Sequence, residues 1–181
     1  MHIAPTELPE VLLITPKILR DTRGAFWETW NERAGAAAGL PGTWVQDNCS
    51  ISKCNVVRGL HYQVVQPQGK LVRVTNGAVW DVAVDLRRSS ANFGRHIGVE
   101  LSAENGLMLY IPVGFGHGFA ALTDNASLAY KVTDYYCPAG ERTIVWNDTE
   151  LGIPWPVSAE NAIVSDKDQK GAVLGEAEVF A

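Results

Sequence analysis

The sequence is dominated by short apolar or alternating runs that are separated by turn residues, such as "GKLVRVT", "AVWDVAVDL" and "SLAYKVT". Roughly ten runs of this kind follow one another, and no long helical pattern lies between them. The only helical pattern is a short Ala-rich segment near "ERAGAAAGL". Strands without intervening helices pack as a sandwich or barrel, so the sequence predicts an all-β fold.

The chain has the size and composition of one globular domain. Hydrophobic residues make up 46% of its 181 residues and six residues are Trp, which favours a packed core. No repeat or flexible linker divides it, so we expect a single domain over residues 1–181. Asn76-Gly77 between two alternating runs predicts a hairpin turn, and the segment after about residue 147 is expected to be ordered but irregular.

The net charge and the spacing of the cysteines argue against several kinds of partner and site. Acidic residues outnumber basic ones, 20 to 15, which disfavours a nucleic-acid or anionic-membrane partner but permits a local basic pocket. The start of the chain lacks the pattern of a signal peptide, and no run reaches transmembrane length, so we expect a cytoplasmic protein. The three cysteines have no CxxC spacing, which argues against a disulfide framework.

Strand alternation places several polar side chains inside the predicted barrel. In "GKLVRVT", Lys70 shares its face with two valines, and in "SLAYKVT", Tyr130 shares its face with Leu128 and Val132. A packed core does not tolerate many polar groups, so we interpret the interior as a binding pocket. The polar residues on such faces are Lys70, Tyr130, His117, Gln46, Asn48 and Glu28.

The stretch "RGLHYQ" conflicts with regular alternation. Arg58 and His61 are three residues apart, so a regular strand would direct them to opposite faces. Gly59 lies between them, and a glycine within a strand is typical of a bulge or of a close approach between backbones. We therefore predict a bulge or twist at Gly59 that lets both side chains face one cavity.

The stretch "GLMLYIPVGFGHGF" resembles the second motif of the cupin superfamily of small β-barrels. Only the final Asn of that motif is missing, because Ala121 stands in its place. The matching residues are Gly106, Pro112, Gly114 and His117.

The first cupin motif supplies His-x-His and a Glu to a metal, but this chain departs from it. It has His61-x-Gln63, and Lys70 stands where the Glu would be. An inward ammonium opposes a divalent cation, and two imidazoles with an amide offer no compensating negative charge. We therefore predict no metal and no other cofactor.

Taken together, the motifs resemble those of the dTDP-4-dehydrorhamnose 3,5-epimerase family, whose members are cofactor-free cupin enzymes. The stretches that carry the resemblance run in family order over most of the chain: "DTRGAFWETWN", "VQDN", "RGLHYQ", "QGKLVRV", "DVAVDLRRSSANFG", "IPVGFGHGF", "YKVTDYYCPAGER", "WNDTELGIPWP" and "SDKD". The resemblance implies a double-stranded β-helix, or jelly-roll, barrel with short peripheral helices.

The resemblance also implies a role for each candidate site residue. His61 would be the catalytic base, paired with Asp168, and Tyr130 would be the general acid on the opposite side of the sugar. Lys70 would contact the 4-keto oxygen as it becomes an enolate. The residues expected to bind the rest of the substrate are Arg23, Phe26, Glu28, Gln46, Asn48, Arg58, His117, Tyr136 and Glu141.

The implied substrate is a dTDP-4-dehydro-6-deoxyhexose, and the implied assembly is a homodimer. Three alternatives remain open from the residues themselves. They are an epimerase that acts at carbon 3 or carbon 5 only, a metal-dependent cupin oxygenase or isomerase, and a non-catalytic nucleotide-sugar binding module.

Overall fold

A computed structural model describes residues 1–181 and confirms the all-β prediction. The strands are β1 (His2–Pro5), β2 (Leu12–Thr15), β3 (Leu19–Asp21), β4 (Gly24–Phe26), β5 (Gln46–Ser52), β6 (Val56–Gln63), β7 (Lys70–Asn76), β8 (Ala78–Asp85), β9 (His96–Ser102), β10 (Met108–Ile111), β11 (Phe115–Ala121), β12 (Ala126–Val132), β13 (Glu141–Thr143) and β14 (Ile163–Val164).

Two sheets build the barrel. The first sheet has the strand order β1-β2-β10-β7-β12-β5, and the second has the order β13-β6-β11-β8-β9. Neighbouring strands are antiparallel, apart from β14, which joins β6 in parallel. Strands β3 and β4 form a separate two-stranded hairpin. From β5 to β13 each strand is followed by one in the other main sheet, except that β8 and β9 form a hairpin within the second sheet, which gives the jelly-roll barrel that the motifs implied.

The core lies between the two sheets. It contains valines of β7 and β8 together with larger side chains such as Leu109 and Phe115. Phe119 and Leu128 belong both to this core and to the wall of a cavity. The apolar packing of the barrel therefore ends at these two side chains, and polar residues take over beyond them.

Helices are few and short. The predicted Ala-rich helix is α1 (Glu32–Ala37), which begins after Asn31, whose side chain accepts a hydrogen bond from the Ala34 N–H. A second helix, α2 (Asp166–Gln169), lies within the segment predicted to be irregular, and a 3₁₀ turn follows at Leu174–Glu176. Neither helix has the length and apolar character that a membrane crossing requires.

The hairpin predicted at Asn76-Gly77 is wrong, although the turn itself forms. Strand β7 pairs with β10 and β12 in the first sheet, whereas β8 pairs with β9 and β11 in the second. Gly77 has φ +70°, and a side chain there would collide with Thr123. The turn thus carries the chain from one sheet to the other, so that inward valines on both strands enter the same core.

Candidate active site

A cavity of about 230 Å³ opens between the two sheets at the polar end of the barrel. The first sheet contributes β5, β7 and β12 to its wall, and the second contributes β6, β11 and β13. Many of the residues singled out from the sequence line it: Arg58, His61, Lys70, His117, Tyr130, Tyr136 and Glu141.

His61 and Asp168 form a close pair at this cavity. The His61 Nε2 lies 2.6 Å from the Asp168 Oδ1, and the imidazole is 32% exposed, whereas the carboxylate is 4% exposed. Burial opposes ionisation of Asp168, but the hydrogen bonds with His61 and with the Gly59 N–H hold its pKa below the usual value. An ionised Asp168 accepts a hydrogen bond from the Nε2–H of His61, which leaves the lone pair of Nδ1 as the basic site of the imidazole.

Three contacts bring Asp168 to a residue more than a hundred positions earlier. Strand β14 pairs with the start of β6, which places the following helix α2 beside His61. Ser165 caps α2 by accepting a hydrogen bond from the Asp168 N–H at 3.1 Å. The Gly59 N–H donates to the Asp168 Oδ2 at 3.2 Å.

The predicted bulge at Gly59 is confirmed. His61 pairs with His117 and Arg58 pairs with Phe119, so two residues of β6 stand opposite the single residue Gly118. A Cβ on Gly59 would lie 2.6 Å from the Gly118 Cα, which explains why the position requires glycine. The bulge lets Arg58 and His61 line the same cavity.

Lys70 is a buried cation in the cavity wall. It is 7% exposed, and its Nζ donates a hydrogen bond to the His61 carbonyl oxygen at 3.1 Å. Burial lowers its pKa to about 8, despite the opposing attraction of Asp81 and Glu141. An ammonium has three N–H donors, so this single hydrogen bond leaves donors that can serve a ligand oxygen.

Tyr130 faces the cavity from the sheet opposite His61. It lies on β12 in the first sheet, whereas His61 lies on β6 in the second sheet. Burial raises the pKa of the phenol, which stays protonated at neutral pH. The cavity therefore has a base on one wall and a proton donor on the other.

His117 has a buried partner that the sequence analysis did not identify. Both carboxylate oxygens of Asp81 lie within 3.1 Å of the His117 Nε2, and Asp81 has no exposed surface. Burial lowers the pKa of His117 despite the attraction of Asp81. Strand alternation in "AVWDVAVDL" places Asp81 on the apolar inward face of β8, and that signal could have revealed it.

The mouth of the cavity carries an aromatic and charged network. The Tyr136 hydroxyl donates to Glu141 at 2.8 Å, and the Lys167 Nζ lies 2.6 Å from the other Glu141 oxygen. Burial opposes ionisation of Glu141, but Lys167 and Tyr136 hold its pKa below the usual value. Lys167 is the second residue that the sequence analysis missed, although it lies within the quoted "SDKD".

Gln46 and Asn48 lie next to this mouth on the edge strand β5. The Gln46 side chain donates to the Asn48 Oδ1 at 2.8 Å and accepts a hydrogen bond from the Tyr136 N–H at 3.2 Å. Asn48 stands directly opposite Tyr130 in the β5–β12 pairing. These two amides therefore extend the polar wall from the cavity towards Tyr136.

Arg23, Phe26 and Glu28 do not join the cavity within one chain. Arg23 lies in the turn of the β3–β4 hairpin, where it pairs with Asp21 and is 89% exposed. Phe26 is 71% exposed on β4, and Glu28 accepts a hydrogen bond from Asn31. The depression that Arg23 and Phe26 line shares no residue with the cavity of His61.

The cavity does not offer the donor set of a metal-binding cupin. No three His, Cys, Asp or Glu side chains are arranged to hold a metal ion. The ammonium of Lys70 occupies the wall where such a site would need an anionic ligand. These residues do not fit a divalent cation.

Comparison with known proteins gives matches over almost the whole chain. The family model for dTDP-4-dehydrorhamnose 3,5-epimerase matches residues 5–176. A dTDP-4-dehydrorhamnose 3,5-epimerase of Pseudomonas aeruginosa is 50% identical over 174 residues, which cover 96% of each chain. A dTDP-4-dehydrorhamnose 3-epimerase of Streptomyces niveus is 38% identical, with 98% of this chain and 86% of that protein covered.

The fold of a solved structure agrees. The crystal structure of dTDP-6-deoxy-D-glucose-3,5-epimerase from Legionella pneumophila in complex with dTDP-4-keto-L-rhamnose superposes with a TM-score of 0.93 at 45% identity. The match covers 98% of this chain and 94% of that chain.

Proposed function

Because the chain belongs to the dTDP-4-dehydrorhamnose 3,5-epimerase family, we propose that it converts dTDP-4-dehydro-6-deoxy-D-glucose into dTDP-4-dehydro-L-rhamnose by inverting carbons 3 and 5. The observation that carries this proposal is the placement of His61 and Tyr130 on opposite sheets around one cavity. Inversion at carbon requires a base on one face of the sugar and an acid on the other. The reaction proceeds without metal or cofactor.

His61 takes the proton in this mechanism. The C–H bonds that flank a ketone are acidic, and an imidazole is a side chain that can take up and release a proton near neutral pH. Asp168 keeps the proton on Nε2 and stabilises the imidazolium that forms when Nδ1 removes a proton from carbon. Tyr130 returns a proton from the other side of the ring.

Lys70 stabilises the enolate between the two proton transfers. Its remaining N–H donors are available in the cavity to the 4-keto oxygen, which gains negative charge as the C–H bond breaks. Such preorganised donors act strongly in a buried site because no water has to reorganise when the charge develops. Burial of Lys70 therefore makes its charge more effective in the reaction.

The remaining cavity residues bind the nucleotide and its two phosphates. The Arg58 Nε and Nη2 donate to the Ser52 hydroxyl and to the Ile51 carbonyl oxygen, which leaves Nη1 to donate to a phosphate oxygen. Lys167 adds a cation at the cavity mouth. Tyr136 supplies an exposed aromatic face for the base, next to the amides of Gln46 and Asn48. Binding of two phosphates thus explains why an acidic protein has positively charged side chains around this cavity.

Solvent exchange tests the proposed function directly. Incubation of the enzyme with dTDP-4-dehydro-6-deoxy-D-glucose in deuterated water should place deuterium at both carbon 3 and carbon 5, because each inversion replaces a carbon-bound proton with one from solvent. Mass spectrometry and proton NMR of the product locate the label. Label at a single carbon would contradict inversion at both centres.

A single-site epimerase is the second candidate. It is favoured by one observation, namely that the 38% identical relative from Streptomyces niveus is a 3-epimerase. Such an enzyme would use the same base, acid and enolate stabilisation but would label carbon 3 only. The position of the deuterium therefore distinguishes the two candidates.

The substrate-binding roles of Arg23, Phe26 and Glu28 require a second copy of the chain. Within one chain their hairpin lies apart from the cavity, and Phe26 leaves 71% of its surface uncovered. A homodimer in which each hairpin reaches the cavity of its partner would bury this aromatic side chain and bring Arg23 to the phosphates. Edge strands such as β5 would also be covered.

We expect a dimer at micromolar concentration in light scattering. Co-expression of two inactive variants, His61→Ala and Arg23→Ala, should restore activity, since a mixed dimer contains one site with both residues intact. The control is each variant expressed alone. A monomeric mass, or mixed chains that stay as inactive as the separate variants, would contradict the shared site.

A further inference from the structure

Gln63 occupies the place of a metal ligand in the cupin pattern, but here it bonds to backbone. It is the last residue of β6, two positions after His61, and it stands opposite Glu141 in the β6–β13 pairing. Its side chain is part of the cavity wall and is 4% exposed. A buried amide of this kind needs hydrogen-bond partners, and the chain supplies three.

The three partners belong to two separate loops. The Nε2 of Gln63 donates to the Gln66 carbonyl oxygen at 2.7 Å and to the Tyr135 carbonyl oxygen at 3.2 Å. Its Oε1 accepts a hydrogen bond from the Cys137 N–H at 2.9 Å. One side chain therefore joins the loop after β6 to the segment between β12 and β13.

Tyr136 lies between the two residues of that segment that Gln63 holds. More than half of Tyr136 is exposed, so apolar packing does not fix its ring. It is held instead by polar contacts, namely its hydroxyl to Glu141, its N–H to Gln46, and the clamp of Gln63 on the backbone at either side. Among these contacts, only the hydrogen bonds of Gln63 come from a buried side chain, and they fix the course of the backbone on both sides of Tyr136.

We infer that Gln63 is a positioning residue that holds Tyr136 over the cavity mouth, where the nucleotide of the substrate packs against it. This inference rests on the proposed function for the identity of the nucleotide. The amide is the required group because it donates twice and accepts once. A glutamate would accept from Cys137 but would repel two carbonyl oxygens, and a methionine of similar volume would make none of the three hydrogen bonds.

Binding of dTDP, measured by calorimetry, tests the inference in a double-mutant cycle. Gln63→Met and Tyr136→Ala should each weaken dTDP binding about tenfold, which is typical of a lost base–aromatic contact. The double variant should be little weaker than the poorer single variant, because Gln63 acts through Tyr136. In turnover, KM should rise in Gln63→Met, whereas kcat at saturating substrate should stay within about threefold of the wild type.

Amide hydrogen exchange provides a measurement that needs no ligand. Loss of the Gln63 acceptor should speed exchange at Cys137 in both Gln63→Met and Gln63→Glu, while the amides of β11 stay protected. The control is Glu104→Gln, a change at an exposed side chain in the turn after β9, outside the cavity wall, which should leave exchange and dTDP affinity unchanged.

Two results would overturn the inference: additive losses of affinity in the cycle, or a fall in kcat with unchanged dTDP affinity. A wild-type protein that binds no dTDP would instead contradict the proposed substrate. In that case the exchange data alone would decide whether Gln63 fixes the Tyr136 segment.

Discussion

The substitution His61→Ala should lower the rate at which solvent deuterium enters the substrate by about 10²- to 10⁴-fold, the usual contribution of a positioned base. His61 is the imidazole that combines an exposed ring edge in the cavity with a buried carboxylate on its other side. The neighbouring His117 cannot replace it, because its Nε2 faces the buried Asp81 and burial lowers its pKa. The measurement is proton NMR of the substrate in deuterated water.

Two further variants show whether the loss is specific to the base. Tyr130→Phe removes the acid but keeps the base, so label should still enter the substrate while inverted product falls. His2→Ala changes an exposed histidine on β1 and should behave like the wild type. Exchange in His61→Ala as fast as in a catalysing wild type would contradict the role of His61 as the base. A wild-type protein that does not accelerate exchange would favour a nucleotide-sugar binding module.

The alternation of side chains along a strand was enough to predict which residues of the regular strands face the cavity. Alternation placed Lys70 and Tyr130 on the inward faces of β7 and β12, and both line the cavity. Gly59 broke the alternation of β6 in the way that a glycine within a strand suggested. These predictions succeeded because the direction of a side chain on a strand depends on its immediate neighbours in sequence.

Contacts between distant segments could not be predicted in this way. Asp168 reaches His61 only because β14 adds to the edge of β6, and two residues of alternating pattern are too few to predict a strand. The resemblance to a family supplied that pairing. The turn at Gly77 was recognised, but turn chemistry does not state whether the next strand returns to the same sheet or crosses to the other.

The hairpin of β3 and β4 shows a different limit. The motif "DTRGAFWETWN" indicated substrate binding, yet its residues lie outside the cavity of their own chain. A sequence pattern records which residues serve a site but not which copy of the chain supplies them. The predicted dimer is the physical account that reconciles the motif with its position.

Lys70→Met should lower kcat by about 10²- to 10³-fold, the usual loss when one preorganised donor to an oxyanion is removed. Methionine fills the space of the lysine stem but cannot donate to the enolate. The matched control is Lys131→Met on β12, where the ammonium pairs with Asp47 on the outer face of the same sheet. A Lys70→Met enzyme within about tenfold of wild-type kcat would exclude this role for Lys70.

The same substitution should make the protein more stable at neutral pH. Burial lowers the pKa of Lys70 to about 8, whereas a lysine in the unfolded chain titrates near 10.4. Between these values the unfolded chain binds more protons than the folded chain, so the contribution of Lys70 to the free energy of unfolding rises with pH. Below pH 8 both states are charged, and the full cost of burying the ammonium remains.

Urea denaturation of the two proteins across pH 7 to 10.5 measures this cost. We expect Lys70→Met to exceed the wild type by about 1–3 kcal/mol at pH 7, and the difference to shrink as pH rises. Over the same range, wild-type activity should decline above about pH 8 as Lys70 loses its proton, and the residual activity of Lys70→Met should lack that decline. If Lys70 serves catalysis, its replacement should raise stability and lower activity. If Lys70 served packing instead, its replacement should lower both stability and activity.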